Sequence, residues 1–499
     1  MDQRIAIKEA LTAPTSSKIT ICGIIQKTLR ETETITLVVN DGSTVTPILA
    51  KISTPQPKDH QYLSQGSTIQ LHGQVNHDDS PSLDVNDYTI IGPADPHSFP
   101  LALETQSPDF LNRNPHLRIR TPNHALIARF RSSVVSALTN LFDSHRDGPF
   151  YQVHLPILTW TDCEGGAEVF AAPTQHSKRK DAEMNETFFG ARRFLNVSAV
   201  FHAEAFVQGL DRTWTLAPCW RAERAETDRH LAEFWMLEVA VNYIETLDPL
   251  YQLIEEVIRG TVSRLQESVA GKEVLAQSGS GELLRRWEKL LHRKWQKITF
   301  AEATRLLEPV REAKGCISGC QSAGGAQQDL TEDEEKYLCD HFDSPVFLTH
   351  FPSEIRLFQA KQSVRSIDDL PPGIHIDPAQ TTEAFDLLLP GIGEICSGGL
   401  REHRLDVLVD TMRKKRFLTG WSKERPPDRN APADAQPYPY LHPGEDLRSL
   451  DWFADLRRWG TSPHGGFGIG FERLLHYLMG TDSLKDVISF PRYRGVCGC

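Results

Sequence analysis

The chain has 499 residues, and its 54 Lys and Arg against 66 Asp and Glu give a formal net charge of −12. Hydrophobic residues at 39% and charged residues at 24% are typical of a globular protein. The acidic balance argues against a protein that coats nucleic acid, and nine scattered cysteines exclude a disulfide scaffold. No apolar run reaches the ~18–20 residues of a membrane span, so no membrane partner is expected.

Residues 1–17 are predicted to be an N-terminal extension. They carry the acidic residues Asp2 and Glu9 beside the basic residues Arg4 and Lys8, whereas mitochondrial transit segments are poor in acids. We therefore expect a cytoplasmic protein, with mitochondrial import as the alternative.

Residues 18–95 are predicted to form a small β-barrel. The stretch is rich in β-branched residues, and Asn40-Asp41-Gly42-Ser43 is a typical hairpin turn. The predicted strands are Ile19–Ile25, Ile35–Val39, Val45–Ile52 and Ser67–Val75. Several short strands in a stretch of this length are typical of a five-stranded OB-fold, and a small β-sandwich is the alternative that composition leaves open.

The rest of the chain is predicted to be one large α+β domain. Prolines mark residues 96–120 as a linker or hinge, and the domain then covers 121–499, with an insertion at about 265–345. One helix should begin at Thr121-Pro122 and a second should cover Glu282–Trp295, because apolar residues recur there at helical spacing. Gly, Ser, Ala and Gln predict loops at 268–282 and 313–327, and prolines exclude a helix from Arg425–Asp446.

Arginine, glutamate and aromatic residues are concentrated between Arg221 and Glu238. The order of residues predicts two strands joined by a loop and facing one site. Arginine suits phosphate oxygens because its planar fork donates two parallel hydrogen bonds, and Phe234 could stack on a nucleobase. A solvated run of charges beside a buried strand is the alternative.

A glycine-rich segment, Gly465-Gly466-Phe467-Gly468-Ile469-Gly470, is followed by Glu472 and Arg473. Glycine lets a backbone approach a ligand closely, and the apolar run that follows predicts a helix. Arg473 favours a phosphate site, whereas a closely packed turn is the alternative.

Two acidic residues, Asp386 and Glu394, lie shortly before Gly398-Gly399-Leu400-Arg401-Glu402. A pair of carboxylates can hold Mg²⁺, which prefers oxygen ligands and shares substrate phosphates. Two unrelated surface acids are the alternative.

Together these three segments resemble the signature motifs of class II aminoacyl-tRNA synthetases, and most closely the asparaginyl family within the aspartyl, asparaginyl and lysyl group. The first motif of that family matches His154–Thr159, with its proline at Pro156. The asparaginyl pattern is also similar to Asp162–Gly166, Arg229–Met236 and Pro463–Gly468. The resemblance covers nearly the whole chain and implies an antiparallel sheet flanked by helices, in a homodimer with Pro156 at the interface.

The resemblance also implies that the chain binds ATP and Mg²⁺. Arg221 would contact the α-phosphate, and Arg229 and His230 would lie near the β- and γ-phosphates. The other implied nucleotide and metal residues are Glu223 for ATP, Phe234 and Arg473 on the two faces of adenine, and Asp386 and Glu394 for Mg²⁺.

For the amino acid, the resemblance implies a pocket for asparagine. Glu164 would hold the α-ammonium group, Arg401 the side-chain carbonyl and Glu238 the side-chain amide, while Ser198 and His464 complete the pocket. The implied enzyme is an asparagine–tRNA ligase, which activates asparagine as its adenylate and transfers it to tRNA(Asn).

Several positions depart from the family pattern. A pocket Gln is replaced by Val200, a Glu by Ala240, and an aromatic residue that stacks on an anticodon base by Thr36. Losing one polar contact typically costs ~1–3 kcal/mol. These departures leave two alternatives open: a paralogue that passes its activated amino acid to another acceptor, and a non-catalytic nucleic-acid-binding or regulatory protein.

Overall fold

The computed structural model describes residues 4–32, 34–53, 61–77, 80–102, 107–160, 169–172, 188–189, 192–222, 224, 230–279, 281–313, 329–363, 381–420, 441 and 445–498. Within these residues, no helix combines the length and the apolar character that crossing a bilayer requires.

The strands are β1 Lys18–Arg30, β2 Ile35–Asn40, β3 Ile48–Ile52, β4 Thr68–Asn76, β5 Ser82–Gly92, β6 Tyr151–Gln152, β7 Leu158–Thr159, β8 Phe194–Leu195, β9 Arg212–Trp220, β10 Glu233–Asn242, β11 Gln296–Thr299, β12 Val346–Thr349, β13 Ala384–Leu389, β14 Gly393–Leu400, β15 Thr419–Gly420, β16 Glu445–Asp446 and β17 His464–Gly470. The helices are α1 Ile7–Ala10, α2 Pro108–Arg113, α3 Pro115–Arg118, α4 Pro122–Asp143, α5 Val200–Leu210, α6 Asp248–Glu267, α7 Val269–Gln277, α8 Glu282–His292, α9 Phe300–Ala313, α10 Glu332–Phe342, α11 Leu405–Lys414, α12 Asp451–Arg458 and α13 Phe471–Met479.

Chain contacts divide the molecule into two units. The first unit comprises Met1–Ala137, Ser263–Leu284 and Met479–Cys499 and contains a closed barrel with strand order β1-β2-β3-β5-β4. Alternate barrel residues such as Ile21, Leu37 and Leu71 are fully buried, as expected when every second side chain points inward. The barrel confirms the OB-fold prediction, and the β-sandwich alternative is wrong.

The first unit also corrects the loop predicted at 268–282. Residues Val269–Gln277 form helix α7, whose first turn is capped by Ser268, with Oγ accepting from the Gly271 backbone N–H at 3.0 Å. Glu273 of this helix accepts from Thr44 Oγ1 at 2.7 Å and pairs with Arg129 Nη1 at 2.5 Å. Composition predicted a loop because Gly, Ser and Ala are common there, but a serine cap and an anchored carboxylate stabilise a helix.

The second unit, Leu138–Val262 and Arg285–Leu478, is built on an eight-stranded sheet of order β11-β12-β13-β14-β17-β10-β9-β6. The β11–β12 and β6–β9 pairs are parallel and the others are antiparallel. Helix α5 packs on β9 and β10, while α9 and α10 pack at the β11–β14 side. This arrangement confirms the α+β prediction, and α4 and α8 confirm the two helices expected from apolar spacing. The predicted loop at 313–327 lies outside the described residues from 314 onward.

Candidate active site

One row of residues crosses four neighbouring strands of the large sheet. Glu238 of β10 lies opposite Gly468 of β17, which lies opposite Ser397 of β14, which in turn faces Asp386 of β13. Directly opposed residues of antiparallel strands point to the same face. The register therefore brings Glu238 and Asp386, which lie far apart in the sequence, onto one face of the sheet.

The glycine-rich segment forms strand β17 in the middle of this face, so its interpretation as a packed turn is wrong. A Cβ at Gly468 would lie 2.8 Å from Met236 Cε, and a Cβ at Gly466 would collide with the carbonyl oxygen of Val239. A side chain at Gly466 would displace the backbone of β10, whereas one at Gly468 would displace only the end of the Met236 side chain. The strand therefore has a bare backbone that leaves room for a ligand above the sheet.

Arg221 and Phe234 lie together at the ends of β9 and β10. These two strands pair antiparallel, as the strand–loop–strand prediction required, and the Arg221 backbone N–H extends the ladder to the Ala232 carbonyl oxygen at 3.0 Å. The Arg221 guanidinium carbon is 5.3 Å from the centre of the Phe234 ring, within the range of a cation–π contact. An aromatic face and a guanidinium thus share one edge of the site.

Arg473 reaches the same face from α13, which begins directly after β17. Its Nη1 donates to the Glu394 carbonyl oxygen at 2.7 Å and lies 3.5 Å from Glu394 Oε2. The neighbouring Glu472 accepts from the Trp235 backbone N–H at 2.7 Å, next to Phe234. The sheet therefore places both predicted arginines beside the paired ends of β9, β10 and β17.

Asp386 is a buried carboxylate that accepts a hydrogen bond from Arg356 through Oδ2, while no described residue donates to its buried Oδ1. Burial raises the pKa of Asp386 to about 6, and the charge of Glu394 adds to this rise while Arg356 opposes it. Among the described residues there is no group of three or more His, Cys, Asp or Glu side chains arranged to hold a metal. An unpartnered oxygen and a nearby second carboxylate fit Mg²⁺, which takes its other ligands from water and phosphate.

Glu335 of α10 was not anticipated from the sequence. Its Oε2 accepts from the Glu394 backbone N–H at 3.0 Å. Burial raises its pKa to about 7, and the charges of Glu394 and Asp386 contribute to that rise. Three carboxylates therefore lie near enough for their charges to interact, where the sequence had indicated two. Glu335 belongs to a run of four acidic residues, so nothing local distinguished it.

Glu335→Gln is expected to stabilise the metal-free protein at pH 8 by about 1–2 kcal/mol and to have little effect near pH 4.5. A carboxyl whose folded pKa is raised stabilises the fold below its ordinary pKa of 4.5, and this contribution is lost as pH rises toward about 7. Urea unfolding of both proteins at the two pH values measures the difference. Glu332→Gln, at an exposed carboxylate of the same helix, is the control. An equal effect of Glu335→Gln at both pH values would contradict the expectation.

Glu238 is buried at the α5 side of the same row. Ser198 Oγ donates to Glu238 Oε1, and the Ala199 backbone N–H lies 3.1 and 3.0 Å from the two carboxylate oxygens. Donors beside α5 thus hold both oxygens of the Glu238 carboxylate. Ser198, predicted to contact the amino acid, is thus turned toward Glu238 and supports it.

Arg401 follows β14 and lies over a fully buried carboxylate, Glu204 of α5. Arg401 Nε is 3.6 Å from Glu204 Oε1, and Arg457 Nη2 is 2.5 Å from Glu204 Oε2. His464 Nε2 is 3.3 Å from the same Oε2, while its Nδ1 donates to the Ser462 carbonyl oxygen at 2.8 Å. Burial alone would raise the pKa of Glu204, but Arg457, His464 and Arg401 together lower it to about 2.

Sequence reasoning missed Glu204 and Arg457. It predicted that His464 lines the amino-acid pocket, whereas in the structure the His464 side chain is fully buried against Glu204. One signal was available for Glu204, which is the only acidic residue in the otherwise largely apolar segment from Val200 to Val207. A lone carboxylate on an apolar helix face requires a buried partner. That partner, Arg457, lies 253 residues away and could not be paired with it from one sequence.

Val200 and Ala240, the two pocket positions that depart from the family pattern, pack against apolar side chains. Val200 packs against a cluster that includes Phe201 and Phe358, and Ala240 packs with Ala203 and Val207 between α5 and β10. The Gln of the family pattern is thus replaced by contacts between α5 and the α11–α12 region, and the Glu by contacts between α5 and β10.

Three predicted site residues, Glu164, Glu223 and Arg229, lie outside the described residues. His230 is half-buried just before β10. Pro156 is exposed, and apolar side chains beside it are exposed too: Ile157 by 46%, Leu158 by 42% and Trp160 by 46%.

Comparisons with known proteins agree on one family. A family model described as tRNA synthetases class II (D, K and N) matches residues 107–494. Asparaginyl-tRNA synthetase of Mus musculus is 32% identical over 486 residues, covering 96% of this chain and 91% of the mouse protein. Asparagine–tRNA ligase of Pseudoalteromonas translucida is 30% identical over 513 residues, covering 98% of both proteins. Asparaginyl-tRNA synthetase from Pyrococcus horikoshii, solved with asparaginyl-adenylate, has a TM-score of 0.78 and 25% identity, with 100% of both chains covered.

Proposed function

The chain belongs to the class II tRNA synthetases of the aspartyl, lysyl and asparaginyl group, and because its relatives over nearly their whole length are asparaginyl enzymes, we propose that it is an asparagine–tRNA ligase. Burial lowers the pKa of Arg401, and the nearby charges of Glu204 and Glu238 oppose this shift. This closeness of Glu238 to Arg401 is the observation that carries the proposal. A carboxylate acceptor and a guanidinium donor match the NH₂ and the carbonyl oxygen of a carboxamide. The same sheet face carries Arg221, Phe234 and Arg473 for a nucleotide.

In the first step, the α-carboxylate of asparagine attacks the α-phosphorus of ATP. A phosphorus–oxygen bond to the β-phosphate breaks, pyrophosphate leaves, and asparaginyl-adenylate remains. No protein nucleophile is needed, so Arg221 and Arg473 act by holding the phosphates in line and by neutralising charge. Phe234 stacks on one face of adenine and Arg473 covers the other, while the Arg221 guanidinium lies within cation–π distance of the Phe234 ring.

Mg²⁺ is part of this proposal, with Asp386 and Glu394 as the side chains that would hold it. When bound, the ion supplies positive charge that stabilises the phosphate oxygens. The chain's own contribution is to leave Asp386 Oδ1 without a hydrogen-bond donor among the described residues, because Arg356 donates only to Oδ2. Glu335 supports Glu394 from below through the backbone N–H.

In the second step, a ribose hydroxyl at the 3′ end of tRNA(Asn) attacks the adenylate carbonyl, and AMP leaves. The barrel would bind the tRNA through the outward row of Leu29, Thr36 and Lys51, which face one another across β1, β2 and β3. Exposed Lys18, Lys27 and Arg30 add positive charge for phosphate contacts. Because Thr36 cannot stack on a base, recognition by this face would rest more on charge than in relatives with an aromatic residue there.

The proposed assembly is a homodimer. Pro156 and its exposed apolar neighbours Ile157, Leu158 and Trp160 would be shielded from water by a second copy of the chain. Sedimentation equilibrium of the purified protein should give twice the mass of 56.2 kDa, and a monomer at micromolar concentration would refute the dimer.

Pyrophosphate exchange with a panel of amino acids, followed by charging of total tRNA, tests the function. Exchange is expected with asparagine and not with aspartate, and label from asparagine should appear on tRNA(Asn). Exchange with asparagine but no charged tRNA would show that the acceptor is another molecule. Absence of exchange with every amino acid would refute the proposal.

A further inference from the structure

Glu204 is a buried carboxylate to which the proposed reaction assigns no part. Its side chain is 2% exposed, and three cationic or basic groups surround it: Arg457 at 2.5 Å, His464 at 3.3 Å and Arg401 at 3.6 Å. Arg457 is itself fixed, since its Nε donates to the Glu402 carbonyl oxygen at 3.0 Å and its guanidinium carbon lies 4.1 Å from the centre of the Phe453 ring. A carboxylate held this firmly can define where a neighbouring guanidinium stands.

The two oxygens of Glu204 are used differently. Oε2 receives Arg457 and His464, whereas the buried Oε1 accepts no hydrogen bond from any described residue. Arg401 Nε faces Oε1 at 3.6 Å, which is longer than a hydrogen bond and short enough for an ion pair. Oε1 therefore interacts with the Nε edge of Arg401, and the forked end of the guanidinium remains available to a side-chain carbonyl.

Charge in the pocket depends on Glu204 as well. The charges of Arg401 and Arg457 are balanced by those of Glu204 and Glu238. A neutral carboxamide enters such a balanced site without creating an unpaired charge, whereas a carboxylate would add one. Loss of the Glu204 charge makes the pocket more positive by one unit and so favours aspartate.

We infer that Glu204 is a specificity-determining positioning residue, which orients Arg401 and balances its charge so that the pocket accepts a carboxamide and rejects a carboxylate. This inference rests on the proposed function, because it takes Arg401 as the group that meets the amino-acid side chain. Glu238 is proposed to contact the substrate directly. Glu204 would be a second carboxylate of the pocket, which acts through Arg401.

Glu204→Gln tests the inference through kcat/KM for asparagine and for aspartate in pyrophosphate exchange by the full-length protein. We expect the ratio of asparagine to aspartate to fall at least tenfold, chiefly through a higher KM for asparagine and a lower KM for aspartate. The control is Glu273→Gln, which changes a mostly buried carboxylate paired with Arg129 in the first unit. Its ratio should stay within twofold of the wild-type value.

An unchanged ratio in a folded Glu204→Gln protein overturns the inference while leaving the proposed function intact, provided that the wild type discriminates. A wild type that does not exchange with asparagine refutes the proposed function itself. Glu204→Asp keeps the charge and serves if the Gln variant does not fold. It should still exclude aspartate but raise the KM for asparagine severalfold at unchanged kcat, because the carboxylate withdraws from Arg401. An unchanged KM in this variant would also overturn the inference.

Discussion

Arg473→Ala is expected to lower kcat/KM for ATP in asparagine-dependent pyrophosphate exchange by about 10³-fold. The guanidinium is fixed by its 2.7 Å hydrogen bond to the Glu394 carbonyl oxygen, and its side chain is 34% exposed toward the open face of the sheet. In the proposed site it stabilises negative charge in the transition state, and no other described arginine follows β17 closely enough to replace it. The loss should appear in both kcat and the KM for ATP.

Two variants control this prediction. Arg458→Ala removes a surface arginine that lies 5.7 Å from the Trp459 ring, and it should leave exchange within twofold of the wild type. Arg473→Lys retains the charge without the planar fork and should fall between the wild type and the alanine variant. Full exchange activity in the Arg473→Ala protein would contradict the assignment of Arg473 to the nucleotide site, even though the fold of the chain would be unaffected by that result.

The parts of the site that could be predicted are those encoded by local patterns. Arg221 and Phe234 could be placed because the two strands that carry them are separated by one short segment, so one stretch of sequence specifies both. The strand β17 was harder to predict, because glycine is common in turns. Here Gly466 is required by the closeness of the β10 backbone, which no local pattern reveals.

The parts that could not be predicted depend on pairs of residues that are distant in sequence. Glu204 meets Arg457 and Arg401 only after α5, α12 and the end of β14 have packed together. Glu335 meets Glu394 because α10 packs against β14. Each of these carboxylates is unremarkable in its own segment, and its chemistry comes from burial and from the charges that the fold brings near it.

Glu238→Gln is expected to lower kcat/KM for asparagine by about 10²–10³-fold. The carboxylate accepts from Ser198 Oγ and from the Ala199 backbone N–H, which fix its position beside α5. In the proposed site this carboxylate also accepts from the side-chain amide of asparagine. A glutamine at this position would present an NH₂ group to donors and would lose the acceptor for the substrate amide. The negative charge that repels the side-chain carboxylate of aspartate is also lost. The ratio of kcat/KM for asparagine to kcat/KM for aspartate should therefore fall by a larger factor than kcat/KM for asparagine itself.

Ser198→Ala provides the graded comparison for Glu238→Gln. It removes one hydrogen bond to Glu238 but keeps the carboxylate and the Ala199 donor, so a loss of about tenfold is expected, with discrimination largely retained. If Glu238→Gln and Ser198→Ala were equally impaired, Glu238 would act only as a structural partner of α5. A large loss of discrimination confined to Glu238→Gln instead requires that its carboxylate meets the substrate, since only a group in contact with the side chain can distinguish an amide from an acid at that point.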